Sequence, residues 1–207
     1  MIVVIGGHTR NIGKTSLAVD VIRAFPQMRW TAMKITQFGH GVCSANGEPC
    51  DCETADHTIA IGEERDSDSG TDTSRMLAAG AAKVLWVRTR QGQLAEAMPS
   101  LRKQMRAAQN VLLESNSVLR FLRPDLYLAV LDPGVQDFKP SALRYLDRAD
   151  AVVMSGEGAG WSGVSDSVWG KKPRFALRLG EEMGTDLKEF LTLRMKSAAV
   201  EDPTLLQ

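Results

Sequence analysis

The chain has 207 residues, 43% of them hydrophobic, and its 25 Lys plus Arg balance 25 Asp plus Glu for a formal net charge of zero. A charged fraction of 24% beside a full apolar complement excludes a disordered polyelectrolyte, and 18 Gly with 8 Pro are too few for a collagenous or low-complexity chain. Neutrality leaves no whole-molecule field to hold a polyanion, so no nucleic-acid partner is expected, and the length suits one domain with a sizeable core.

The opening Met1-Ile-Val-Val-Ile-Gly-Gly has no basic leader and turns into glycine after a few apolar residues, too short for a signal peptide. No run approaches a membrane span, so no membrane partner is expected. Short apolar runs predict strands over residues 2–5, 30–35, 83–88, 110–114, 126–131, 151–154 and 174–179. Amphipathic stretches predict helices over 16–25, 94–108, 140–147 and 183–196, the third with Pro in its first turn. The alternation points to an α/β fold of three layers, α/β/α, around a mostly parallel sheet covered on both faces.

Two segments break that alternation. Residues 37–70, rich in Gly, Asp, Ser and Cys, read as a long structureless insertion of the kind that carries function. Residues 155–172, with five glycines, read as a surface loop that Trp161 and Trp169 anchor to the body or to a partner. A single domain over 1–197 and a flexible tail over 198–207 complete the expected organisation.

The strongest motif is Gly6-Gly7-His8-Thr9-Arg10-Asn11-Ile12-Gly13-Lys14-Thr15-Ser16, between the first strand and the first helix. This is the context a phosphate-binding loop requires. Glycines let backbone N–H groups curl round phosphate oxygens, and the helix start adds its positive dipole end. Nucleotide binding is therefore expected over Gly7, Thr9, Arg10, Asn11, Ile12, Gly13, Lys14, Thr15 and Ser16, with Lys14 reaching the β and γ phosphates and Thr15 offering its hydroxyl to Mg²⁺.

The spacing is G-x5-G-K-T, one residue longer than the common loop. It resembles that of dethiobiotin synthetase and its relatives, in the branch of P-loop proteins that also holds metal-center maturation factors and molybdopterin-guanine dinucleotide biosynthesis protein B. Lys34 closes the second strand where these families carry Lys-Pro or Lys-His. Gly70-Thr-Asp72-Thr-Ser-Arg75, leading to Ala79-Gly80-Ala81 and an apolar strand, is similar to a stretch of the molybdopterin-guanine dinucleotide family. Val111-Leu-Leu-Glu114 resembles the strand ending in Glu that serves as Walker B, although Ser115 stands where glycine is usual.

The resemblance implies a P-loop NTPase in which Lys14, Glu114 and Asp72 are catalytic and Thr15, Asp72 and Glu114 hold Mg²⁺. Asp72 can equally be an N-cap, because an amphipathic helix follows it. No guanine-reading Asn-Lys-x-Asp follows the strand at 151–154, where Ser155-Gly-Glu157 stands instead, so ATP and GTP both stay open. Asp132, Asp137 and Lys139 after the preceding strand either approach a base or substrate or only make turns.

All three cysteines fall in one short stretch, an odd number unsuited to a secreted disulfide framework, so a cytoplasmic location is expected. With His40, the thiols of Cys43, Cys50 and Cys52 make a Cys3His set for Zn²⁺, His57 being a spare ligand; three reduced thiols in a loop is the competing reading.

Two functions remain. One is a nucleotide-driven switch or accessory factor, hydrolysing ATP or GTP slowly and meeting a protein partner in molybdopterin-type cofactor or metal-center assembly. The other is an ATP-dependent phosphotransferase or ligase whose small anionic substrate is held by Lys34 and Arg75. A homodimer is open in either case.

Overall fold

The computed structural model describes residues 1–38, 59–158, 160–161 and 164–201. Among them eight strands form one sheet: β1 (Ile2–Gly7), β2 (Trp30–Phe38), β3 (Ile59–Glu63), β4 (Lys83–Arg90), β5 (Asn110–Glu114), β6 (Leu126–Leu131), β7 (Ala151–Met154) and β8 (Arg174–Ala176). Their spatial order is β3-β4-β2-β5-β1-β6-β7-β8. All neighbours are parallel except β3, which runs antiparallel to β4 at the edge.

The sequence explains why both faces are covered. In β1, Val3 and Ile5 belong to one apolar cluster and Val4 to another; in β5, Leu112 faces the first cluster while Val111 and Leu113 face the second. Side chains alternate across a strand, so continuous apolar runs give two greasy faces that helices must cover. The first face is covered by α1 (Lys14–Ala24), through Leu17, Val21 and Ile22, and by α5 (Thr185–Glu201), through Leu187, Leu191 and Met195; Met76 of α2 (Asp72–Ala78) joins the same cluster. The second is covered by α3 (Leu94–Ala107), whose buried Leu94, Ala97, Met98 and Leu101 recur at helical spacing. The result is the three-layer α/β/α arrangement that the sequence leads one to expect.

Several boundaries differ from expectation. The insertion is not structureless to residue 70: β3 pairs Ile59 with Thr89 and Glu63 with Leu85. Residues 39–58, with His40, Cys43, Cys50, Cys52 and His57, lie outside the described residues. The expected helix at 140–147 is a four-residue α4 (Pro140–Leu143) followed by a 3₁₀ turn over Leu146–Arg148, because only Ala142 and Leu146 supply buried apolar anchors there. The last strand pairs only over Arg174–Ala176, and α5 runs past the expected end at 196.

Trp161 and Trp169 anchor their loop to the body. Both are buried in the second apolar cluster, and Trp161 Nε1 donates to Val135 O at 2.7 Å. The strand order reverses at β1, with β5 on one side and β6 on the other, which opens a crevice at the carboxyl ends of the strands.

Candidate functional site

The glycine loop sits in that crevice, between the end of β1 at Gly7 and the start of α1 at Lys14. Two glycines are fixed by space. A Cβ on Gly6 would lie 2.2 Å from Asn116 Oδ1, and Gly13 has a left-handed φ of 91° where a Cβ would meet Leu177 Cδ2 at 2.8 Å. Asn116, just beyond β5, holds the backbone of Gly7 from both sides: its Oδ1 accepts from the Gly7 N–H at 2.9 Å and its Nδ2 donates to the Gly7 carbonyl at 2.7 Å. Asn11 adopts a φ of 54°, a conformation that Asn tolerates better than most residues.

His8 is fully buried and clamps the loop to the segment after β6. The Asp132 N–H can only donate, so His8 Nε2, at 3.0 Å, accepts; the Asp137 carbonyl can only accept, so Nδ1, at 2.8 Å, carries the proton. Burial holds the imidazole below its ordinary pKa, outweighing the bond that Nδ1–H gives to the Asp137 carbonyl, which agrees with this neutral tautomer. The ring packs against Phe138 and Trp161, with centroids 5.1 and 4.9 Å away. Thr9 donates its hydroxyl hydrogen bond to the Asp137 carboxylate, and the Lys139 N–H bonds the His8 carbonyl at 2.9 Å.

Lys14 folds over its own loop and donates to the Thr9 carbonyl. Burial pushes its ammonium down to about 8, with Glu114 opposing that shift. Beside it, Thr15 Oγ1 donates to Glu114 Oε2 at 2.8 Å. Lys34 Nζ lies 3.1 Å from Glu114 Oε1 and 3.3 Å from Thr15 Oγ1, and also pairs with Asp72. Burial alone would lower the Lys34 pKa, but Glu114 and Asp72 raise it above the ordinary lysine range. Asp72 shows the reciprocal effect: burial works to raise its pKa, and Lys34 with Arg75 holds it below the usual carboxylate range.

Asp72 is not the cap of α2. Thr71 is, accepting from the Ser74 N–H at 3.1 Å, which leaves the Asp72 carboxylate free for Lys34. Arg75 pairs with Asp72 at 3.6 Å and donates to Ser16 Oγ at 3.2 Å.

These residues line a cleft of about 740 Å³. Its lining includes residues 9–16, Lys34, Thr36, Gln37, Asp72, Arg75, Trp86, Glu114 and Lys139. Thus Gly7 and residues 9–16 of the glycine loop, together with Lys34, Asp72, Arg75 and Glu114, lie at one cleft. His8, Asn116, Asp137 and Lys139 belong to the same assembly. His8 sits inside the motif, but its clamp lies 124 to 129 positions away, and Asn116 gives no local signal for holding Gly7.

Thr15, Glu114 and Asp72 present a hydroxyl and two carboxylates, the hard oxygen donors that suit Mg²⁺. Among the described residues no group of three or more His, Cys, Asp and Glu side chains could hold a metal by itself. A donor set of this size fits an ion completed by phosphate oxygens and water.

No protein-family model matches the chain, and no curated protein sequence matches it. Solved structures do. HypB from Helicobacter pylori, in complex with nickel, is similar over 95% of this chain and 87% of its own, at 13% identity and a TM-score of 0.52. LpxK from Aquifex aeolicus, in complex with ATP, is similar over 84% of this chain at 17% identity and a TM-score of 0.46. The 54 kDa signal recognition particle protein from Aeropyrum pernix, in complex with GDP, is similar over 96% at 15% identity and a TM-score of 0.45. The chain spans about half the length of these last two, 53% and 47%. The fold is that of P-loop NTPases.

Proposed function

We propose that the chain binds a Mg-nucleoside triphosphate over residues 7–16 and hydrolyses it slowly, acting as a switch or accessory factor in cofactor or metal-center assembly. One observation carries the reading: Thr15, Glu114, Asp72 and Lys34 converge beside Lys14 at the mouth of the glycine loop.

In this reading the loop amides and the start of α1 cradle the phosphates, and Lys14 leaves the Thr9 carbonyl to meet the β and γ phosphates. Thr15, Asp72 and Glu114 hold Mg²⁺. Thr15 donates its hydroxyl hydrogen bond to Glu114, so its oxygen would act toward the ion only as an acceptor, in place of the Lys34 contact it now holds. Bound Mg²⁺ supplies neutralisation of the charge that develops on the transferred phosphoryl group. ATP and GTP both stay open, since no Asn-Lys-x-Asp follows β7.

The molybdopterin-guanine dinucleotide and dethiobiotin synthetase likeness rests on the G-x5-G-K-T spacing, Lys34, Asp72 and Glu114. HypB, on the same fold, is known in complex with nickel, which suits a metal-handling role. The set of His40, Cys43, Cys50 and Cys52 is kept as a candidate Zn²⁺ site on sequence grounds alone. A protein partner, a homodimer and a cytoplasmic location belong to the proposal. Among the described residues no helix is long and apolar enough to cross a membrane.

One observation favours a second reading. The cleft reaches Thr36, Gln37 and Trp86, beyond the glycine loop, giving room for a small anionic substrate of a phosphotransferase or ligase beside Lys34 and Arg75. Turnover of Mg-ATP and Mg-GTP by purified protein separates the two. Slow basal hydrolysis that small anionic acceptors leave unchanged supports the switch; fast, acceptor-dependent turnover supports the transferase.

A further inference from the structure

Lys34 carries an inference that rests on the Mg-nucleotide reading and deepens it. Its ammonium sits inside the donor set assigned to the divalent ion, 3.1 Å from Glu114 Oε1, 3.3 Å from Thr15 Oγ1 and paired with Asp72 Oδ2. The sheet enforces this position. Lys34 and Glu114 are register partners on β2 and β5, so their side chains leave the same face at the same level. The side chain is 20% exposed and Glu114 is 6% exposed, so water screens the pair poorly.

Charge decides which cations this donor set accepts. The two carboxylates carry −2, which the Lys34 ammonium brings to −1; a divalent ion beside that lysine would turn the set to +1. Both cations cannot contact the same two carboxylates without strong repulsion. Arg75 is already paired with the other Asp72 oxygen, Oδ1, at 3.6 Å, so only Oδ2 becomes free if Lys34 leaves.

We propose that Lys34 is a built-in counter-cation that keeps the Mg²⁺ site closed in the nucleotide-free protein and is displaced when the ion arrives on its triphosphate. The phosphate charge then supplies what the two carboxylates lack, and the displaced ammonium stays in the cleft to pair with phosphate oxygens. Free divalent ion alone does not fill the site.

The experiment is Mn²⁺ titration followed by electron paramagnetic resonance, without nucleotide and with a nonhydrolysable triphosphate, on the wild type, Lys34→Met and Lys34→Arg. Without nucleotide, Lys34→Met binds Mn²⁺ at least about tenfold more tightly than the wild type, whereas Lys34→Arg, which keeps the charge, does not. Equal affinity in wild type and Lys34→Met overturns the inference. A wild type that binds no Mn²⁺ even with triphosphate overturns the Mg-nucleotide reading instead. Should Lys34→Met fail to fold, the wild type still decides: the ¹⁵N resonance of the Lys34 ammonium, assigned by its loss in Lys34→Arg, moves on adding Mg-nucleotide, and an unmoved resonance overturns the inference.

Discussion

Thr15 Oγ1 donates a 2.8 Å hydrogen bond to Glu114 Oε2, tying the first turn of α1 to the end of β5 across 99 positions of sequence. On the proposed reading this pair organises the divalent ion. Glu114→Gln is expected to keep nucleotide binding and to lose hydrolysis by about a hundredfold, because the amide preserves shape but not charge where charge develops. Asp72→Asn is expected to act in the same direction. Single-turnover hydrolysis beside calorimetric binding checks both; unchanged turnover in the two variants removes them from the active site.

Asn116→Ala tests the scaffold of the loop rather than its chemistry. The variant leaves the Gly7 N–H and carbonyl without their side-chain partners, 2.9 and 2.7 Å away in the wild type. A stability loss of about 1–3 kcal/mol is expected in urea unfolding, with nucleotide affinity weakened as well. A variant as stable as the wild type would mean that the amide bridge does not hold the loop.

The pH dependence of stability reports on His8. Burial lowers its pKa from 6.5 in the folded chain, so the unfolded chain takes up the proton first as pH falls. The contribution is therefore complete above the unfolded value and is lost as pH drops from there toward the folded value. Urea midpoints at about pH 7.5 and about pH 5.5 should fall in the wild type and fall less in His8→Gln. Parallel losses in the two proteins would contradict the buried, neutral clamp.

Much of this was legible in the sequence, for physical reasons that also mark where it stops. The apolar runs of β1, β5 and β6 announce themselves because both faces are buried. The segment Ile59–Glu63 does not: it is an edge strand with a partly exposed pattern and a glycine at position 62, and only pairing with β4 makes it a strand. The glycine loop is local and therefore readable. The meeting of Lys34 with Asp72 and Glu114 is not, since it depends on the register of β2 against β5 and on Thr71, rather than Asp72, capping α2.

The cysteine set makes a separate prediction from sequence. If His40, Cys43, Cys50 and Cys52 bind zinc, metal analysis of protein purified without chelator gives about one ion per chain, with Zn–S distances of roughly 2.3 Å by X-ray absorption. Replacing Cys50 and Cys52 together by Ser should release the metal while nucleotide still binds. Identical protease protection of residues 39–58 with and without zinc would leave only three reduced thiols.

The central claim is that residues 7–16 hold a triphosphate, and Lys14 tests it most directly. Its ammonium is aimed over the loop and serves no core contact, so Lys14→Ala should fold normally. Calorimetric titration of Mg-ATP and Mg-GTP should show binding by the wild type and at least about a hundredfold weaker binding by Lys14→Ala, because charge-assisted contacts to phosphate are lost. Equal affinity of the two proteins, or no binding by either, would contradict the account.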